Sequence, residues 1–161
     1  MKLANFIRTL FLIAVTMAIT ACSADTTGVD FATLKRPSTP NTYLVCPPAR
    51  CAEPADAEAP VYAVPPPALF ELVRKALSAE PRTVLVQDQP DALRLVLVQR
   101  SLIFRFPDTI TVQVFPQAEG SSTLAIYSRS NYGRSDLGVN KARVQRWLGL
   151  IAAQVAGQPG A

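Results

Sequence analysis

The sequence predicts a single α+β domain in the order strand, helix, four strands, helix, with an antiparallel sheet carrying both helices on one face. Three observations point there. Four runs of β character follow one another between residues 82 and 129, separated by turn-forming residues. Amphipathic stretches at helical spacing flank them on both sides. The span 59–156 holds about 98 residues, enough for one hydrophobic core and no more.

Taken in order, VYAV (61–64) is a short strand candidate, and the prolines at 65–67 lead into a helix. In that helix Leu69, Phe70, Val73, Ala76 and Leu77 share one face, while Glu71, Arg74 and Lys75 lie opposite. Pro67 suits its first turn, where a missing amide hydrogen removes no bond. Strands follow at RTVLVQ (82–87), LRLVLVQR (93–100), TITVQVF (109–115) and STLAIYSR (122–129). Gln-Pro-Asp at 89–91, Pro107-Asp108 and Glu119-Gly120 are the turns between them. A final helix spans 137–155. With Val144 at the centre of its apolar face, Leu137, Trp147, Leu148, Ile151 and Val155 fall on the same arc, and so does Asn140.

Alternation along the strands assigns two faces. Val84, Val86, Leu95, Leu97, Ile110, Val112, Val114 and Ile126 are expected to meet the helices. Leu85, Val96, Val98, Phe115 and Tyr127 then point the other way, interleaved with Arg94, Arg100, Thr111, Gln113 and Arg129. A solvated face should be mostly polar. A half-apolar face studded with Arg has the composition of an interface, or it is covered by the N-terminal segment.

The N-terminus carries an address. Lys2 and Arg8 precede an apolar run from Leu10 to Ile19, too short to span a bilayer but suited to a secretory signal. Ile19-Thr20-Ala21-Cys22 has the form of a bacterial lipoprotein signal, so 1–21 is read as signal peptide and Cys22 as the acylated residue. Ser23 in place of Asp implies the outer membrane, with the domain facing the periplasm. Residues 22–58 are rich in Pro, Ala and acids and are read as a tether reaching roughly 30 Å, with TYLV as a possible edge segment. Residues 157–161 are read as a flexible tail. Cys46 and Cys51, in CPPARC, are expected to form a disulfide in that oxidising compartment. Residues 59–161 hold 11 basic and 7 acidic residues, and nine of the basic ones are Arg. Such a domain can lie against anionic headgroups, but it is not basic enough to argue for nucleic acid.

The chain contains no His. That removes His-dependent nucleophilic catalysis and the usual transition-metal ligands, and no cofactor or metal is expected. The most polar stretch, SRSNYGRSDLGVNKAR (128–143), follows the last strand directly. Gly133 permits a turn, Ser135 or Asp136 can cap the helix, and Gly138 lets backbone approach closely. Asn140 on the apolar arc must be hydrogen-bonded, with backbone of the 130–136 turn as the expected partner. Alternatively Asn140, Arg129, Arg134 and Asp136 line an anion site at the helix start. Asp108 is expected to pair with Arg129 or Arg134.

YSRSNYGRSDLGVNKARV (127–144) resembles the signature of the domain-of-unknown-function 1499 family: an Arg-Ser start, a Gly, then Asp-x-Gly-x-Asn and an Arg. FRFPDTITV (104–112) resembles that family's Phe-x-Asp element, and the likeness extends over residues 35–155. The matched positions are Arg129, Ser130, Gly133, Asp136, Gly138, Asn140 and Arg143, with Phe106 and Asp108. The chain departs at PNTYLVCPPARC, where members often show an Asn-Cys-Val-Ser-type element. The resemblance implies a small, membrane-associated or exported protein and no particular activity.

The expectation is therefore a membrane-anchored envelope lipoprotein. Its domain is first of all a protein-interaction or structural module, meeting an envelope partner or a second copy through the sheet face. The alternative is binding of a small anionic or lipidic ligand near 129–143. A hydrolase-like enzyme using Asp108 and Asp136 as paired carboxylates comes third.

Overall fold

The computed structural model describes residues 24–158. The signal peptide, the acylation site Cys22 and the last three residues of the expected tail lie outside the described residues. Seven strands run β1 Thr42–Cys46, β2 Ala57–Glu58, β3 Val61–Tyr62, β4 Thr83–Gln89, β5 Arg94–Arg100, β6 Pro107–Pro116 and β7 Ser122–Ser130. Helix α1, Pro66–Ser78, separates β3 from β4, and α2, Val139–Ala156, follows β7. The sheet order is β2-β1-β7-β6-β5-β4, with β3 also paired to β7. Every pairing is antiparallel except the short parallel one between β1 and β2. This is the α+β class expected, with the sheet extended by two strands ahead of Val61.

Register places the core. Leu95 lies opposite Val112 and Leu97 opposite Ile110, while Val112 lies opposite Ile126. Directly opposed residues share a face, so these side chains form one apolar surface. Leu69, Phe70, Val73 and Leu77 of α1 pack on it, as do Val144, Trp147, Ile151 and Val155 of α2. Both helices thus cover the same face. At about 25 cal/mol per Å2, burying each of these large side chains is worth roughly 1.5–3 kcal/mol before entropy is counted.

Strand β4 departs from the expected phase. Leu85 lies opposite Leu97 and packs against the helix-side core, while Val84 lies opposite Val98 and is 61% exposed. A register shift between Leu85 and Gln87 follows. Three successive apolar residues, Val84 to Val86, leave the phase undetermined in sequence, and a one-residue slip exchanges the faces.

Much of the expected tether belongs to the fold. β1 is an interior strand between β2 and β7, with Tyr43 and Val45 packed on the helix side and Leu44 and Cys46 on the other. Phe31 and Leu34 lie with Leu44, Cys46, Ala125 and Tyr127 in a second apolar cluster, and Val29, Cys51 and Phe115 pack against it. Upstream, a Cβ on Gly28 would lie 2.5 Å from Val96, so the chain there approaches the sheet without side-chain clearance. Four further contacts fasten the segment: Val29 N–H to Thr111 Oγ1 at 3.1 Å, Leu44 N–H to Asp56 Oδ2 at 2.7 Å, the Arg36–Asp56 ion pair at 2.8 Å, and the Cys46–Cys51 disulfide. Much of the second face is covered by this chain's own residues: Tyr127, Val96 and Val98 are buried there, while Val84 on edge strand β4 stays exposed.

Candidate functional site

At one end of the sheet the apolar face stops and polar residues take over. On β5 the series Leu95, Leu97 continues to Gln99; on β6 Asp108 precedes Ile110; on β7 Ile126 is followed by Ser128 and Ser130. Register aligns them, since Gln99 lies opposite Asp108 and Asp108 opposite Ser130. The first turns of α2 bring Asn140 and Arg143 down onto this belt.

Arg143 is 4% exposed and donates in four directions. Nε reaches Gln99 Oε1 at 2.6 Å, Nη1 reaches Ser128 Oγ at 2.9 Å and Asn140 Oδ1 at 2.6 Å, and Nη2 reaches Asp108 Oδ2 at 2.5 Å. A planar guanidinium is the side chain that can hold a fan of acceptors in one plane. Gln99 passes the network on, its amide donating to Pro81 O and to Thr83 Oγ1 at 3.0 Å.

Asn140 is wholly buried and fully used. Its Oδ1 accepts from Ser128 Oγ at 2.6 Å as well as from Arg143, and its Nδ2 donates to Asn41 O at 2.9 Å and Ser130 Oγ at 3.1 Å. It is a clamp, as its position on an apolar arc requires. Its side-chain partners are thus Ser128 and Ser130 at the end of β7, Arg143 of α2 and the carbonyl of Asn41 ahead of β1; of the 130–136 span only the Ser130 hydroxyl takes part, not the backbone. That turn is held by Asn41, whose Nδ2 donates to Gly133 O at 2.9 Å, with Gly133 at φ +85°.

Asp136 caps α2. Its Oδ2 accepts the amide of Asn140 at 2.8 Å and its Oδ1 that of Gly138 at 3.0 Å, satisfying amides the helix start leaves free. Gly138 serves its φ of +82°, and a Cβ there would meet nothing within 4 Å, so backbone crowding is not its reason. The reversal at Leu137 and Gly138 delays the helix to Val139. Leu137 accordingly leaves the expected apolar arc and stands 95% exposed.

The expected cationic site does not assemble. Asp108 pairs with Arg143 instead of Arg129 or Arg134, because Asp108 and α2 share the helix-side face. Arg129 lies on the opposite face, paired with Asp25 and donating to Thr27 O. The Asp25 carboxyl is held below its ordinary value, first by the Thr27 amide and then by the Arg129 guanidinium. Arg134 is exposed in the turn, apart from Arg129. Asn41, Gln99 and Ser128 escaped the sequence reading. Their signal is faint: a polar residue ending an otherwise apolar alternation.

Over this belt opens a cleft of about 340 Å3. Phe104, Phe106, Tyr132, Leu137 and Val139 form its walls, while Ser101, Asp108, Ser130, Ser135 and Asp136 supply the polar lining. The rings of Phe104 and Phe106 stack at 5.6 Å, and Phe106 meets Tyr132 at 6.2 Å. Leu102, Ile103 and Phe104, at the tip of the β5–β6 loop, are each at least 70% exposed. Among the described residues no group of three His, Cys, Asp or Glu is placed to hold a metal ion, and no helix is long and apolar enough to cross a membrane.

Fold and site together define an α+β domain whose most polar sequence segment is an internal clamp, with an apolar cleft opening above it. A family model described as "Protein of unknown function (DUF1499)" matches residues 20–151, and the chain belongs to that family. Comparison with curated proteins gives no match. Among solved structures it is similar to Ara h 8.0201, at 13% identity and a TM-score of 0.45, covering 73% of this chain and 98% of that one. It is also similar to a Thermobifida fusca protein solved by NMR, at 14% identity and a TM-score of 0.40, covering 71% and 84%.

Proposed function

We propose that the protein is a lipoprotein of bacterial type, acylated at Cys22 and held on the periplasmic side of the outer membrane. Its domain is a binding module for an apolar or lipidic ligand, not an enzyme. One observation carries this reading: the cleft beside the signature segment has exposed aromatic and aliphatic walls over a polar lining whose carboxylates are already engaged. A general acid or base must exchange its proton with substrate. Asp108 faces Arg143, and both oxygens of Asp136 accept backbone amides. The hydroxyls of Ser101, Ser130 and Ser135 accept from the Phe106 amide, Asn140 Nδ2 and the Leu137 amide, which leaves their own hydrogens to orient a small polar head, with an aliphatic chain lying along Phe104, Phe106 and Val139.

Native mass spectrometry of the mature chain carrying Cys22→Ser tests the ligand. The expected result is a retained lipid mass, lost in Val139→Trp, which fills the cleft from an exposed position. A bare protein mass, together with no uptake of a fluorescent fatty acid, overturns the reading. For the anchor, the intact mass of the mature wild-type chain is expected to carry a diacylglyceryl and acyl increment that is absent in Cys22→Ser; an unmodified wild-type mass overturns it.

A further inference from the structure

The β5–β6 loop, residues 101–106, carries more exposed apolar surface than a ligand cleft needs. Leu102, Ile103 and Phe104 project at its tip, and Leu137 stands bare beside the cleft it shares with Phe104. Large contiguous apolar patches rimmed by polar residues mark surfaces that meet a partner or a membrane. Two independent features say which.

The first is charge. Arg105 within the loop, Arg134 in the turn after β7 and Arg82 at the start of β4 are exposed at this end of the sheet. Of the nearby acids, Asp108, Asp25 and Glu80 are paired with Arg143, Arg129 and Arg146, and Asp136 spends both oxygens on backbone amides. Three exposed arginines against the single charge of Asp136 leave the surroundings of the apolar tip net positive. The second is the path of the chain. Asp25 is fastened to Thr109 and Arg129, the opposed pair one step in from the end of the sheet where the loop begins. Cys22 precedes Asp25 by three residues, a reach of at most roughly 10 Å. An acyl anchor on Cys22 thus starts at the same end of the domain as the apolar tip and its arginines.

We infer that the 101–106 loop is a membrane-docking tip: Leu102, Ile103 and Phe104 enter the lipid surface that holds the anchor, while Arg82, Arg105 and Arg134 meet anionic phospholipid headgroups. The inference rests on the lipoprotein reading above and deepens it. The domain stands directly on the bilayer, with the cleft mouth at the headgroup level from which a lipid could be drawn. Acyl insertion and basic contacts are the two signals that stable peripheral anchoring combines.

The test is co-flotation of the mature chain carrying Cys22→Ser with vesicles of phosphatidylcholine alone or mixed with phosphatidylglycerol. Flotation is expected with the anionic vesicles only, weakening from ~0.1 M to ~1 M salt. Replacing Ile103 and Phe104 together by Asp is expected to abolish it, and Arg105→Gln or Arg134→Gln to weaken it about fivefold each. These side chains are exposed, so melting temperature and Trp147 fluorescence should not change. Failure of the wild-type domain to float, or undiminished flotation of the double Asp variant, overturns the docking tip. Equal flotation with neutral vesicles overturns the anionic assignment. A dimer dissociated by the same Asp substitutions, without flotation, assigns the patch to a second copy and likewise overturns it. Lipid retained in the cleft without flotation would leave the binding reading standing and remove only this inference.

Discussion

Replacing Arg143 by Met is the sharpest probe of the clamp. The substitution keeps the aliphatic bulk of the side chain and removes the guanidinium, which donates to Gln99, Ser128, Asn140 and Asp108. The largest consequence falls on Asp108, whose side chain is 9% exposed and loses the cation paired with it at 2.5 Å. Removing one member of a buried ion pair costs about 3–5 kcal/mol, since the other charge stays desolvated. Domains of this size are stable by about 5–15 kcal/mol, so at least about a fifth of the total is at stake. Urea unfolding reads this directly through Trp147, the single Trp of the chain, which is wholly buried with its indole N–H bonded to Glu80 at 2.7 Å. With a slope of about 2 kcal/mol per M, the midpoint should fall by roughly 2 M. Adding Asp108→Leu should restore much of that loss, because an apolar pair in place of a buried ion pair is often neutral. A midpoint within about 0.5 M of wild type in the single variant would refute the claim that the signature segment is a structural clamp.

Three further outcomes follow from separate parts of the fold. Gly28→Val is expected to lift the segment ahead of Phe31 off the sheet, since its Cβ alone would lie 2.5 Å from Val96; faster hydrogen exchange at the Val29 amide, with α2 unaffected, checks this. The Tyr62 hydroxyl is buried without a hydrogen-bond partner among the described residues, and burial pushes its pKa up to about 12, so Tyr62→Phe should stabilise the domain by roughly 1 kcal/mol at neutral pH. In the wild type this raised pKa makes stability full below pH 10 and lost as pH rises toward 12, because the unfolded chain ionises first. The Phe variant should be spared that part of the alkaline loss in melting scans across the window. The depressed pKa of Asp25 acts in the opposite direction. Its contribution is present above the ordinary value of 3.8 and disappears as pH falls through the lower folded value. Exchange at the Thr27 amide should therefore gain protection, beyond the intrinsic rate, as pH rises through that range; Arg129→Met should weaken this protection.

Local pattern was sufficient wherever a single period decided the answer. The 3.6-residue spacing of Leu69, Phe70, Val73 and Leu77, the alternation along β5 and β6, and the pairing of Cys46 with Cys51 are legible because each is written in contiguous residues. The need for Asn140 to be satisfied was legible too, since an amide on an apolar arc leaves no other option. Its partners were not. Asn41, Gln99 and Asp108 meet α2 only because register aligns the ends of four strands, and register depends on pairings between residues up to a hundred positions apart. The same holds for the stretch before Ala59, whose sparse apolar residues look too few to fold. Phe31, Leu34 and Leu44 find their burial on a sheet face built by the opposite end of the chain. Composition decides how much apolar surface a segment brings; whether that surface is buried depends on what the rest of the chain sets against it.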